Sequence, residues 1–265
     1  MKGFVKCIIA GAVILGIGIA VLIVALAVNG WKFDWSFRNE NFEMKSYEAQ
    51  EDNSQLNLDF QAGQIEILFY EGEKIKIDFP ENNRYTCTVT ESDGTLTAVS
   101  HKLYFFDCIG WGGNFPKTTV YIPQNRVISL NLELNAGSVT IADGVFRNLS
   151  VRLNAGEIKF GSVTADLLNA EVNAGTLNFE NIDCPKTEFK LNAGSANVTR
   201  LNSSDINVKV NAGGIKLYIT GAEQDYTVSI ERNAGSCNIE NRVGVGNKNI
   251  TGKVNAGGIE IYFGN

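Results

Sequence analysis

The tripeptide Asn-Ala-Gly occurs seven times in the second half of this 265-residue chain. Its asparagines are separated by 19, 19, 19, 19, 22 and 22 residues. A fixed period of this length predicts structural units that cannot bury an apolar face alone and must stack on their neighbours. The predicted structural residues are Asn135 and Gly137, Asn154 and Gly156, Asn173 and Gly175, Asn192 and Gly194, Asn211 and Gly213, Asn233 and Gly235, and Asn255 and Gly257.

Apolar residues alternate on both sides of each tripeptide, and the phase of the alternation changes at the glycine. In the second repeat, Val151 and Leu153 precede the motif, whereas Ile158 and Phe160 follow it. Alternation is the period of a β-strand, and glycine adopts the backbone angles that a corner needs. We therefore predict an all-β fold, a parallel β-solenoid with coils of about 19–22 residues. Each coil is strand, corner, strand and polar loop, with Gly161 to Asp166 as one such loop.

The asparagine column has two interpretations. Identical amides in stacked parallel strands form hydrogen-bonded ladders, or they could be a row of ligand groups. The residues after each glycine, such as Ser138, Glu157 and Thr176, do not form a column of carboxylates. Calcium needs several hard oxygen ligands, so we favour the ladder and predict neither a metal site nor a cofactor.

An uncharged apolar run covers residues 8–28 and is long enough to cross a bilayer as a helix. We predict a short cytoplasmic tail at 1–7, a transmembrane signal anchor at 8–28, a juxtamembrane linker at 29–53, capping and irregular β coils at 54–134, and regular repeats at 135–265. The predicted location is the cell membrane, single-pass, with an extracellular C-terminal domain. A cleaved signal peptide and an inverted orientation stay open as alternatives.

Both ends of the predicted stack have features that could bind a partner. An aromatic segment before the first regular repeat is a candidate cap or binding loop, containing Tyr104, Phe105, Phe106, Trp111 and Phe115. We favour a plug over the end of the core, with binding to carbohydrate, a partner or the membrane surface as the alternative. The chain stops just after the last motif, which predicts a bare strand edge open to homo-oligomerisation or partner docking.

Residues with catalytic potential are sparse. The chain has a formal charge of −6 and one histidine, His101, with no catalytic or nucleotide-binding motif around it. An acidic chain without a basic stripe argues against nucleic acid as a partner. Beyond the apolar run lie Cys87, Cys108, Cys184 and Cys237, whose pairing stays open. We predict no catalytic residues and no enzyme.

The segments Leu134–Ile141 and Leu153–Phe160, with Val120–Pro123 before them, resemble a bacterial family known as putative adhesin, a membrane-anchored repeat domain of unknown function. The resemblance covers about residues 54 to 265. It implies a fold and no catalytic residues, and because some relatives are encoded beside envelope-stress regulators it also implies a regulatory role.

Three functions follow in order of preference. The first is a non-enzymatic, membrane-anchored cell-surface adhesin or scaffold, which contacts the lipid bilayer through residues 8–28 and binds an unidentified protein or glycan. The second is an envelope-stress or regulatory accessory protein that acts through a membrane partner. The third is a carbohydrate-active solenoid enzyme, which would need a surface cluster of carboxylates and bases.

Overall fold

Parallel coils make up most of the computed structural model, which describes residues 42–82, 85–101, 117–242 and 246–264. The strands of these residues are β1 Glu43–Glu48, β2 Gln55–Tyr70, β3 Lys76–Glu81, β4 Thr86–Ser92, β5 Thr95–His101, β6 Lys117–Pro123, β7 Ile128–Ile141, β8 Gly144–Asp183, β9 Lys186–Asn202, β10 Asp205–Ile219, β11 Tyr226–Arg232, β12 Ser236–Cys237, β13 Lys248–Val254 and β14 Gly258–Phe263. They join one sheet. The predicted all-β, repeat-built fold is confirmed.

Stacking in register follows the repeat. β2 pairs in parallel with β7, β7 with the first coil of β8, the second coil of β8 with β9, and β9 with β10. Glycine lies opposite glycine in each of these pairs, as with Gly137 and Gly156 between β7 and β8. Phe160 and Phe179, 19 residues apart within β8, stack with ring centroids 4.1 Å apart. The sequence period is therefore the length of one coil.

The coils of Asn154, Asn173 and Asn192 bury side chains on three faces rather than two. The predicted polar loop from Gly161 to Asp166 is wrong, because β8 continues through it and Val163 and Ala165 are only 1% and 3% exposed. The same third face holds Ile182 and Leu201 at equivalent positions in later coils. Alternation continues here with one small apolar residue in every two. The polar residues that face outward on this strand gave the segment the composition of a loop, which is why the sequence predicted one.

The N-terminal end of the stack is closed by antiparallel strands. β5 pairs with the first part of β2 and β6 with its second part, after which β4 adds to β5, β3 adds to β6, and β1 adds to β3. The predicted linker at 29–53 is therefore too long, since residues 43–48 are a strand of the sheet. The Glu91 carboxylate fastens the chain after β1, because it accepts hydrogen bonds from the Gln50 and Glu51 amides at 2.7 and 3.0 Å.

The order of the last two coils is reversed relative to the sequence. β10 pairs with β13 and β14, whereas β11 and β12 pair with the outer sides of β13 and β14. The coil of Asn255 thus lies inside, and the coil of Asn233 lies at the end of the stack. The predicted bare edge on the last coil is wrong. The two 22-residue intervals give the chain extra length to pass one layer and return.

The predicted transmembrane helix at residues 8–28 and the cytoplasmic tail before it lie outside the described residues. Within the described ranges, no helix is long and apolar enough to cross a membrane.

Replacement of Gly175 by alanine should destabilise the stack strongly. A Cβ on Gly175 would lie 2.0 Å from the Gly156 carbonyl oxygen, and the φ of 145° is one that other residues rarely adopt. We expect Gly175→Ala to lower the free energy of unfolding by about 2 kcal/mol or more. The measurement is urea unfolding of the full chain in detergent, followed by circular dichroism.

The matched control is Gly214→Ala on β10. Its added Cβ would meet only ordinary contact, 3.6 Å from the Gly258 carbonyl oxygen, and its φ is unremarkable. The control should change the free energy of unfolding by less than about 1 kcal/mol. Equal effects of the two substitutions would contradict the close glycine contact.

Candidate binding surface

One column of side-chain amides runs along the corner of the stack. Asn135 donates to the Gln61 Oε1 atom at 2.7 Å, and Asn192 donates to Asn173 at 2.5 Å. The remaining bonds, each from Nδ2 to the neighbouring Oδ1, are Asn154 to Asn135, Asn173 to Asn154, Asn211 to Asn192, Asn255 to Asn211 and Asn233 to Asn255. Each internal amide donates to one neighbour and accepts from the other, so the column links the coils at the corner.

An open cleft of about 560 Å³ lies on the third face of the coils. Its polar lining consists of Ser162, Thr164, Asn181, Asp183, Arg200, Asn202, Thr220 and Lys248. Six of these residues come from two equivalent outward positions of three successive coils, Ser162, Asn181 and Arg200 at one and Thr164, Asp183 and Asn202 at the other, whereas Thr220 follows β10 and Lys248 begins β13. Asn181 donates to the Ser162 Oγ atom at 2.9 Å, and Asn202 donates to the Asp183 carboxylate at 2.8 Å. The cleft therefore combines hydroxyl, amide and charged groups in a fixed array.

Positive charges in the cleft lack the ion pairs that are found on the neighbouring face, which is formed by the residues that precede each repeat asparagine. On that other face the Glu171 carboxylate accepts from Lys190 at 2.7 Å and from Arg152 at 3.1 Å. In the cleft, neither Arg200 nor Lys248 forms an ion pair with any described residue. The Lys248 Nζ atom lies 5.3 Å from the ring centroid of buried Tyr226. The cleft can therefore offer two cationic donors to an anionic group.

The aromatic segment predicted as a cap or binding loop, residues 103–115, lies outside the described residues. Its attachment points are described. β5 ends at His101 and β6 begins at Lys117, and both strands pair with β2 on either side of Gln61 to Gly63. His101 itself is exposed and lies opposite Thr86 in the sheet.

Three of the cysteines are described and form no disulfide with one another. Cys87 and Cys184 are buried, and Cys237 is half-buried. Burial, followed by the charge of Glu81, raises the pKa of Cys87 to about 12. Burial also raises the pKa of Cys184. The thiols of Cys87 and Cys184 are therefore held in the unreactive protonated form at neutral pH.

Within the described residues, no group of three or more His, Cys, Asp or Glu side chains could hold a metal ion. The cleft brings together Asp183 with Arg200 and Lys248, which sequence reasoning missed. The available signal was the alternation Ser162-Val163-Thr164-Ala165, which recurs at the same offset as residues 181–184 after Asn173 and residues 200–203 after Asn192 and places its polar members on one outward face.

A family model described as Toastrack DUF4097 matches residues 53–263. The chain belongs to this family. The Toastrack match begins two residues before β2 and runs to the end of β14. It confirms the resemblance inferred from the Leu-Asn-Ala-Gly repeats. No curated protein matches the chain.

Solved structures similar to this Toastrack chain include a putative adhesin from Bacteroides fragilis, which is 16% identical with a TM-score of 0.47 and covers 84% of this chain and 98% of its own. A putative cell adhesion protein from Clostridium sporogenes is 14% identical with a TM-score of 0.37, covering 84% and 100%. A putative adhesin from Parabacteroides merdae is 14% identical with a TM-score of 0.36, covering 84% and 97%. Sequence identities this low give no information about a ligand of this chain.

Asn173→Ala should interrupt the amide column of the Toastrack stack at its middle. The substitution removes the acceptor of Asn192 and the donor to Asn154, both in half-buried positions. Because unmade hydrogen bonds at such positions are costly, we expect a loss of about 1–3 kcal/mol in the free energy of unfolding. Asn233→Ala at the exposed end removes one bond and should cost less. Equal losses in urea unfolding would contradict a continuous column.

Glu171→Gln should have a pH-dependent effect on stability. The hydrogen bond from Lys190, and then the charge of Arg152, lower the pKa of Glu171 below its ordinary value. A lowered folded-state pKa stabilises the fold above the unfolded-state pKa, and this contribution is lost as pH falls through the folded-state value. The stability difference between wild type and Glu171→Gln should therefore be constant near neutral pH and shrink below about pH 4.3.

The control for that comparison is Glu133→Gln. Glu133 occupies the same position of another coil and has no ion pair among the described residues. Urea unfolding at several pH values compares the two variants. A stability difference for Glu171→Gln that persists unchanged at acidic pH would contradict the ion-pair interpretation.

Proposed function

We propose that this chain is a non-enzymatic surface protein that displays its third-face cleft to bind acidic saccharides. The observation that carries the proposal is the array of hydroxyl and amide groups around Arg200 and Lys248. Polyhydroxylated ligands need many fixed hydrogen-bonding groups, and an unpaired guanidinium binds carboxylate or sulfate with a bidentate geometry. Such a surface can hold a polymer without performing chemistry on it.

The fixed arrangement of the cleft's side chains supports an adhesive or scaffolding role. The cleft is built from four successive coils and one strand of a fifth, and the amide column links the same coils at another corner. Side chains on different coils consequently keep fixed spacings of about 4.8 Å along the stack. A polymer that contacts several coils gains affinity because little conformational freedom is lost by the protein.

Membrane anchoring through residues 8–28 is part of the proposal. The apolar run, Lys2 and Lys6 before it, and the aromatic residues after it support a single-pass anchor with the repeat domain on the outer side. The first test uses intact cells that produce the full chain with a C-terminal tag. Protease added outside should remove the tag without lysis, and a tag protected until lysis would contradict surface display.

The second test measures retention of the same cells on immobilised polygalacturonate, with uncharged dextran as the comparison surface. We expect retention on polygalacturonate only, and a decrease when salt is raised, because exposed charges are screened. The double variant Arg200→Ser and Lys248→Ser should abolish retention. The control is Lys190→Ser, which removes a cation already paired with Glu171. Equal retention of all variants would contradict the cleft as the binding surface.

A further inference from the structure

The two ends of the third-face cleft differ in charge. The end nearer the N-terminal strands of the stack is uncharged, with hydroxyl and amide groups from Ser162, Thr164 and Asn181. The opposite end carries the cations Arg200 and Lys248. A ligand that fills the cleft therefore meets neutral hydrogen-bonding groups with one part and positive charge with another.

Asp183 stands at the boundary between these two ends. In the pairing of β8 with β9, Asn181 lies opposite Arg200 and Asp183 lies opposite Asn202. One coil step of about 4.8 Å and two residues of about 3.3 Å each therefore separate the Cα atoms of Asp183 and Arg200. The carboxylate is a diagonal neighbour of the first cation in the cleft.

Lys248 lies one layer further along the stack than Arg200. The Asn249 amide donates to the Ser204 carbonyl at 2.8 Å, so the start of β13 covers the end of the turn that contains Arg200. Asp183, Arg200 and Lys248 consequently occupy three successive layers. Along the stack the order of charges in the cleft is negative, positive and positive.

The Asp183 carboxylate is held in place but not neutralised. Asn202 donates to its Oδ1 atom at 2.8 Å. Among the described residues, Asp183 forms no ion pair, and its Oδ2 atom accepts no hydrogen bond. Both oxygens of Glu171, in contrast, accept from cations. Asp183 therefore offers the cleft a fixed negative charge and a free acceptor.

An unpaired carboxylate in this place acts on a ligand in two ways. It accepts a hydrogen bond from a hydroxyl group of a neutral sugar, and such bonds to a charged acceptor are strong. It also repels a second acidic group bound beside the one that Arg200 attracts. Unpaired charges directed against a competing ligand are a common source of specificity.

The spacing of the coils relates these charges to the units of a polysaccharide. A sugar ring in an extended chain is about as long as one coil step of about 4.8 Å. Neighbouring sugars of a polymer that follows the stack would then lie over neighbouring layers. A polymer with an acid on every sugar places one acid over Asp183, whereas an alternating polymer can place a neutral sugar there.

We propose that Asp183 makes the cleft selective for saccharides in which an acidic sugar is joined to a neutral one, over polymers with an acid on every sugar. The acidic sugar binds between Arg200 and Lys248, and hydroxyl groups of the neutral sugar bind Asp183 and Asn181. This inference rests on the proposed function, because it assigns a finer specificity to the same cleft.

The test compares two hexasaccharides by isothermal titration calorimetry of the full chain in detergent. A hyaluronan fragment alternates glucuronate with neutral N-acetylglucosamine, and a galacturonate fragment has an acid on every sugar. Attraction by charge alone favours the galacturonate fragment, which has twice as many carboxylates. We expect the opposite order, with the hyaluronan fragment bound about fivefold more tightly, because one galacturonate carboxylate meets Asp183.

Asp183→Asn keeps an acceptor for Asn202 and removes the charge. The variant should bind the galacturonate fragment about fivefold more tightly than wild type does, without a gain for the hyaluronan fragment. The matched control is Asp166→Asn, which removes an exposed carboxylate that lies outside the cleft lining and should leave both affinities unchanged. Arg200→Ser should weaken both fragments, because both use that cation.

The outcomes separate this inference from the proposed function. Absence of binding by either fragment to wild type would overturn both. Binding of both fragments with the galacturonate fragment equal or tighter, or equal gains for the two fragments in Asp183→Asn, would overturn the role of Asp183 and leave acidic saccharides as ligands. A gain for the galacturonate fragment in Asp166→Asn as large as in Asp183→Asn would also overturn it, because net charge would then explain the effect.

Discussion

The contact between glycine backbones at the corner determines the stack. A Cβ on Gly156 would lie 1.8 Å from the Gly137 carbonyl oxygen, and one on Gly213 would lie 1.9 Å from that of Gly194. Only residues without a side chain allow successive coils to approach this closely with these backbone angles. The glycine column sets the register, and register decides which side chains face inward.

Once the register is fixed, the alternating directions of the side chains along each strand also align the asparagine amides, the charged pairs and the aromatic rings of neighbouring coils. The amide of each repeat asparagine meets the amide of the neighbouring coil. Opposite charges such as Glu171 and Lys190 meet at 19 residues' separation, and Phe160 meets Phe179 in the core. These interactions act together because each needs the same spacing between coils. Loss of one glycine contact would therefore disturb the amide, ionic and aromatic columns at once.

The repeat period and the apolar alternation predict the corners and the inward faces of the coils. The structure differs from the prediction in segments where neither pattern is clear. The corner at Gly175 and the inward faces of Ile158 and Phe160 follow from the pattern. The third face was missed because Val163 and Ala165 are small and isolated among polar residues. The cleft was missed for the same reason, since Arg200 and Lys248 become neighbours only when that face is recognised.

Stacking order is a different kind of information from the repeat itself. The motifs at Asn211, Asn233 and Asn255 are nearly identical, so motif identity cannot tell which coil follows which. One departure from the repeat can, because Arg232 replaces an apolar core residue. In the structure the corner of the same coil also differs, since Gly235 lacks the positive φ of Gly257. A coil with those departures tolerates neighbours on one side only. The sequence therefore contains the reason that the sixth repeat, rather than the seventh, ends the stack.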